Sequence, residues 1–122
     1  MLQMSASPGN EASGGRDLRR TPRYNVDLRI KLTVAKDGKN MMVHGRGNDI
    51  GESGMAMFVA HELVVGQRLE VEFTLPYSRQ PLRVGIAIRN KTGYRYGVEF
   101  LTLSALQKEE INRLCKALTL LQ

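Results

Sequence analysis

The sequence predicts a small six-stranded antiparallel β-barrel capped by one C-terminal α-helix. Three observations carry this: six short segments have apolar residues at every second position, turn-forming residues separate them at close spacing, and the last segment changes to a helical period. A chain of 122 residues is one domain's worth, with no room for a second core. Its 42% hydrophobic and 25% charged residues set it apart from disordered, collagenous and coiled-coil chains.

Residues 1–15 are rich in Ser, Gly, Ala and Asn, with almost no large apolar side chain after Met4, so burial cannot offset the entropy of ordering them. They are expected to form a disordered arm ahead of a domain spanning 16–122. Arg16, Arg19, Arg20 and Arg23 follow within eight positions, with Pro22 interrupting any helix: a basic loop leading into the domain. Val26, Leu28, Ile30, Leu32 and Val34 then alternate with polar residues as the first strand, and Asp37-Gly38 signals a hairpin. The second strand covers 41–50, weakened by Gly45 and Gly47, and a tight turn occupies 51–54. Met55, Met57 and Val59 alternate with Ala56 and Phe58 in a short third strand. Leu69, Val71, Phe73 and Leu75 mark a fourth, stopped by Pro76, and Leu82, Val84, Ile86 and Ile88 a fifth. After a turn at 90–93 come Tyr94, Tyr96, Val98 and Phe100 in a sixth. Ile111, Leu114, Cys115 and Leu118 form one apolar helical stripe, and Ser104 and Gln107 have capping-box spacing at its start. Cys115, Met55 and Met57 are read as core packing.

Composition narrows the function. Eighteen Lys and Arg against twelve Asp and Glu give a net charge of +6, which points to an anionic partner. One cysteine and two isolated histidines, His44 and His61, argue against a metal site and against an intramolecular disulfide. There is no apolar run of membrane-spanning length, and residues 1–15 lack the pattern of a secretory signal, so the expected location is cytoplasmic, without membrane insertion. No Walker loop, nucleophile elbow or paired-carboxylate motif is found, and a non-catalytic protein is expected.

Two segments flanking the first hairpin stand out: Arg19-Arg20-Thr21-Pro22-Arg23 and Asp49-Ile50-Gly51-Glu52-Ser53-Gly54. Arginine forks can grip phosphate oxygens or pair with O6 and N7 of a guanine, and a carboxylate can accept from the guanine N1–H and N2–H. Pairing of the first two strands brings Arg23 and Asp49 to one end of the sheet. Gly51 and Gly54 permit a tight turn and a close backbone approach to a ligand. Either segment alone is ordinary, a solvated basic run or a turn; the pair in this order is the signal.

Together they resemble the PilZ domain, the bacterial receptor domain for cyclic di-GMP. Its RxxxR motif matches Arg19 through Arg23, and its D/N-x-S-x-x-G motif matches 49–54. Residues 66–73 resemble the family's fourth-strand region and 95–100 its last strand. The resemblance implies a six-stranded antiparallel barrel with a C-terminal helix, cyclic di-GMP as ligand, and no catalysis. It implies ligand contacts at Arg19, Arg20, Arg23, Asp49, Gly51 and Gly54, a basic loop that changes conformation on binding, and an effector protein, unknown, that reads the change. Leu18, just before RxxxR, offers no guanidinium plane, which favours one nucleotide per domain. Gly51 departs from the motif serine; glycine there either gives up a hydroxyl contact or meets a positive-φ requirement. Two alternatives stand beside this reading: a degenerate protein adaptor of pilus or motility machinery that binds no nucleotide, and a small-barrel nucleic-acid binder. The second is disfavoured, and no DNA or RNA partner expected, because aromatic content is 6% and most tyrosines and phenylalanines fit inward strand positions.

Overall fold

The structure, a computed structural model, describes residues 22–122. The expected disordered arm at 1–15, Leu18, Arg19 and Arg20 lie outside the described residues.

Strand β1 (Tyr24–Lys36) is the longest, because its alternation is unbroken: Leu28, Ile30, Leu32 and Val34 all point inward and are buried. It pairs with β2 (Lys39–Ile50) across a two-residue turn in which both Asp37 (φ 53°) and Gly38 (φ 75°) are left-handed, the conformation the Asp-Gly pair favours. Next come β3 (Gly54–Phe58), β4 (Arg68–Phe73), β5 (Leu82–Thr92), β6 (Arg95–Thr102) and α1 (Ala105–Thr119). Spatially the strands run β1-β2-β3-β6-β5-β4, all antiparallel, and β4 returns to β1 through Ile30 opposite Phe73 and Thr33 opposite Glu70, closing the barrel.

Two boundaries and one side-chain orientation differ from the sequence reading. The fourth strand ends at Phe73, and Leu75 packs into the core from the following loop. The turn expected at 90–93 shrinks to Gly93 and Tyr94: a bulge between Ile88 and Asn90 lets the ladder continue through Lys91 opposite Tyr96 and Thr92 opposite Arg95. Gly93, at φ 61°, makes that turn. The inward assignment of the aromatics holds for Phe73, Tyr96 and Phe100 but not for Tyr94, which is 47% exposed, and Phe58 is outward as its alternation indicates.

The barrel is filled by aliphatic residues with Phe73, Phe100, Met55 and Met57, as read from the alternation. Tyr96 is buried and its hydroxyl donates to the His61 carbonyl (2.7 Å) and accepts from the Leu63 N–H (3.0 Å), so a phenol is tolerated in the core because both its hydrogen-bonding capacities are met. The helix starts as expected. Ser104 Oγ accepts from the Gln107 N–H, and Gln107 Oε1 accepts from the Ser104 N–H. Gln107 Nε2 also donates to the Arg83 carbonyl (3.0 Å), tying the first turn to the start of β5. At the other end, the Gln122 side chain bonds both backbone groups of Asn25, near the start of β1. Since β1 and β5 start at the same barrel mouth, α1 lies across that mouth and buries Ile111, Leu114 and Cys115 against the core. Burial pushes the Cys115 thiol above its ordinary pKa, with Glu52 adding to the shift, in keeping with a packing role.

Candidate functional site

The mouth under α1 is also where β1 begins and β2 ends. Asp49 is second to last in β2, and its side chain faces outward yet is only 13% exposed. Arg23, one residue before β1, lies over it, with Nη1 donating to Asp49 Oδ1 at 3.0 Å. The same oxygen accepts from the Ala56 N–H at 3.0 Å, which locks the carboxylate onto β3. Oδ2 is left with Arg95 of β6, whose Nη2 stands at 3.8 Å, an ion-pair distance too long for a hydrogen bond. The pairing of Arg23 with Asp49 expected from the first hairpin is therefore present.

The register extends the site across three more strands. Asp49 is opposite Ala56, Ala56 opposite Gly97 and Gly97 opposite Asn90, so four outward positions form one row. Its middle is made of the two smallest side chains: Ala56 is buried, and the Asn90 carboxamide lies over Gly97. A Cβ at Gly97 would meet the Asn90 amide at 2.5 to 2.8 Å and would have to push that exposed side chain aside. Arg95 and Asn90 were not picked out by sequence. The alternation marks Arg95 as outward, and a bulge after Ile88 turns Asn90 outward as well, but that β6 lies beside β3 is a matter of barrel order, which no local pattern records.

Arg23 is an unusual cation. Its side chain is 14% exposed, and Nε is buried with no acceptor among the described residues. A buried donor without a partner costs roughly 1 to 3 kcal/mol, so Arg23 is under-satisfied as it stands.

The glycines act differently from expectation. Neither Gly51 nor Gly54 has a positive φ, which removes the positive-φ account of Gly51. A Cβ on Gly51 would lie 2.5 Å from the Pro22 carbonyl oxygen and 3.2 Å from Arg23 Cδ. A serine side chain at Gly51 would thus have to displace the Pro22–Arg23 backbone from this arrangement. A Cβ on Gly54 would overlap the Val98 carbonyl of β6 and stand 3.2 Å from Arg23 Nη2. Both glycines are required by close approach of the chain to itself: Gly51 lets Arg23 cross, and Gly54 lets β3 meet β6. Ser53, the serine displaced within the motif, is exposed, and its carbonyl accepts from the Phe100 N–H.

Among the described residues no group of His, Cys, Asp and Glu is arranged to hold a metal ion, and no helix is long and apolar enough to cross a membrane.

The family model for the PilZ domain matches residues 17–117. No curated protein matches the sequence. Similar solved structures include the PilZ domain of YcgR from Escherichia coli with c-di-GMP, at 16% identity and TM-score 0.66, covering 84% of this chain and 92% of that one. The Bacillus subtilis inhibitor of motility MotI/DgrA is similar at 16% identity and TM-score 0.67, covering 87% and 53%. The K. pneumonia MrkH–c-di-GMP complex is similar at 16% identity and TM-score 0.67, covering 85% and 52%. The chain spans nearly all of the first and about half of the other two. With the matched model covering most of its length and a closed six-stranded barrel capped by a helix, the chain belongs to the PilZ domain family.

Proposed function

We propose that the protein is a non-catalytic receptor for cyclic di-GMP, bound on the outer face of β2, β3 and β6 at Arg23 and Asp49. The observation that carries the reading is the under-satisfied Arg23: a buried guanidinium Nε with no acceptor among the described residues, beside the Asp49 carboxylate, whose Oδ2 has only the Arg95 guanidinium at 3.8 Å among them. A dianionic ligand with guanine bases complements both. Guanine N1–H and N2–H can donate to Asp49 Oδ2, and Arg23 can swing onto a phosphate or onto O6 and N7, which gives its Nε–H an acceptor. The motif positions Arg19 and Arg20 are further contacts in this reading, and Gly51 and Gly54 shape the site by letting the chain close around Arg23. The similar structures of the YcgR PilZ domain and of MrkH, both with c-di-GMP, support the choice of ligand.

The signal is a change in the basic segment ahead of β1. Cationic side chains gathered there repel, and a dianion neutralises them, so the ligand-bound arrangement differs from the free one. An effector protein in the cytoplasm reads the difference. The test is a calorimetric titration of the full chain with cyclic di-GMP, alongside GTP and a single-stranded oligonucleotide. Saturable binding of cyclic di-GMP alone, one per domain, is expected. No binding of any of the three favours a protein adaptor, and binding of the oligonucleotide alone favours a nucleic-acid binder.

A further inference from the structure

One register step from the Asp49 row, the outward face carries a second row. Arg46 of β2 is opposite Phe58 of β3, and Phe58 is opposite Arg95 of β6, so an aromatic ring stands directly between two guanidinium-bearing residues. Phe58 is 49% exposed. Among the described residues no ring stacks on it and no cation lies over it. Both arginines are turned aside, Arg46 to Asp27 at 3.2 Å and Arg95 towards Asp49 at 3.8 Å. The Arg46–Asp27 pair is well exposed, with side chains 49% and 78% accessible, and such pairs are held weakly. Each arginine can therefore leave its carboxylate for a better anion at small cost.

We propose that Arg46, Phe58 and Arg95 take the second half of the cyclic dinucleotide, the distal base stacking on Phe58 and the adjoining phosphate meeting the two guanidinium groups, so that this row selects a two-base ligand over a single guanine nucleotide. The inference rests on the nucleotide reading of Arg23 and Asp49 and names what decides specificity there. The dimensions suit it: Ala56 and Phe58 lie two residues apart on one face of β3, about 6.7 Å, which is within the breadth of one dinucleotide. The chemistry suits it as well. A carboxylate-bearing partner would use the arginines and leave the ring idle, whereas a base uses the ring face and its phosphate uses the forks. Arg95 has a second effect. When it moves to the phosphate it leaves Asp49 Oδ2, the oxygen that a guanine in the first half needs, so filling one half favours filling the other.

The test compares the full-length wild type with Phe58→Ala, Phe58→Tyr and the double variant Arg46→Ala/Arg95→Ala. Each is titrated with cyclic di-GMP, and GMP is measured as a competitor. All three positions are exposed, so melting temperatures should stay close to wild type. Loss of one stacked base is expected to weaken cyclic di-GMP roughly ten- to a hundredfold in Phe58→Ala, to be rescued by Phe58→Tyr, and to leave the potency of GMP, measured against each variant's own cyclic di-GMP affinity, within about twofold. The double variant should weaken cyclic di-GMP by a similar factor and make its binding less sensitive to salt. Unchanged cyclic di-GMP affinity in Phe58→Ala, or equal weakening of GMP, overturns the proposal while leaving the Arg23–Asp49 site intact. Absence of cyclic di-GMP binding by the wild type overturns both.

Discussion

Strands β1 and β2 carry two Arg–Asp pairs of the same chemistry in different surroundings. Near the middle of the ladder Arg46 meets Asp27 at 3.2 Å in the open, and at its end Arg23 meets Asp49 at 3.0 Å with both side chains about seven-eighths covered. Water can replace either partner of the first pair, so that pair contributes little to stability. The second is largely shielded from water: Asp49 also holds the Ala56 amide, and Arg23 keeps a buried donor with no acceptor among the described residues. A charge cluster that is buried and incompletely satisfied is poor construction for stability alone and good construction for recognising an anion.

The sharpest way to break this comparison is to remove one partner from each pair. Asp49→Ala leaves the Arg23 guanidinium and the Ala56 amide without an acceptor. It should destabilise the fold by about 2 to 3 kcal/mol, visible as a lower midpoint in urea, and should weaken cyclic di-GMP at least ten- to a hundredfold by calorimetry. Arg23→Ala should weaken binding as strongly with a smaller loss of stability, because it also removes the unsatisfied Nε. Binding near the wild-type level by either variant rejects the site.

The glycines around Arg23 give effects of intermediate size. Gly54→Ala drives a methyl into the Val98 backbone of β6, which cannot rotate away, and should cost about 3 kcal/mol in thermal or urea unfolding. Gly51→Ser restores the family's motif residue yet should lower both melting temperature and affinity, at a stability cost of about 1 to 2 kcal/mol, because Pro22 must shift and carry Arg23 with it. Tighter binding by Gly51→Ser at unchanged melting temperature would show that the hydroxyl reaches the ligand after all. At the small end, Asp27→Ala should change stability by no more than about 0.5 kcal/mol. It should leave cyclic di-GMP affinity unchanged or slightly improved, since it frees Arg46. A loss as large as that of Asp49→Ala would erase the distinction between the two pairs.

The parts of the molecule that local chemistry controls were legible in the sequence. Alternation around Ile30 and Leu32 located β1, the Asp37-Gly38 pair its turn, and Ser104 with Gln107 the start of α1, because each depends on residues adjacent in the chain. Arg23 and Asp49 were legible together because one hairpin joins them. What escaped depends on strand order and bulges. Arg95 reaches Asp49 only because β6 lies beside β3, and Asn90 stays in the ladder only because a bulge shifts β5 by one residue. The reason for Gly51 was equally out of reach, since the carbonyl that excludes a side chain there belongs to Pro22, 29 positions earlier.

The most direct measurement follows the two nitrogens bonded or orphaned at the site: nuclear magnetic resonance of the Arg23 side-chain Nε–H and the Ala56 backbone N–H during titration with cyclic di-GMP. The account predicts that Arg23 Nε–H, without an acceptor among the described residues, acquires one and moves furthest, with the Ala56 amide shifting as Asp49 adjusts and the Asp37–Gly38 turn unmoved. Saturating ligand that leaves the Arg23 and Ala56 signals in place while perturbing other parts of the barrel would contradict it.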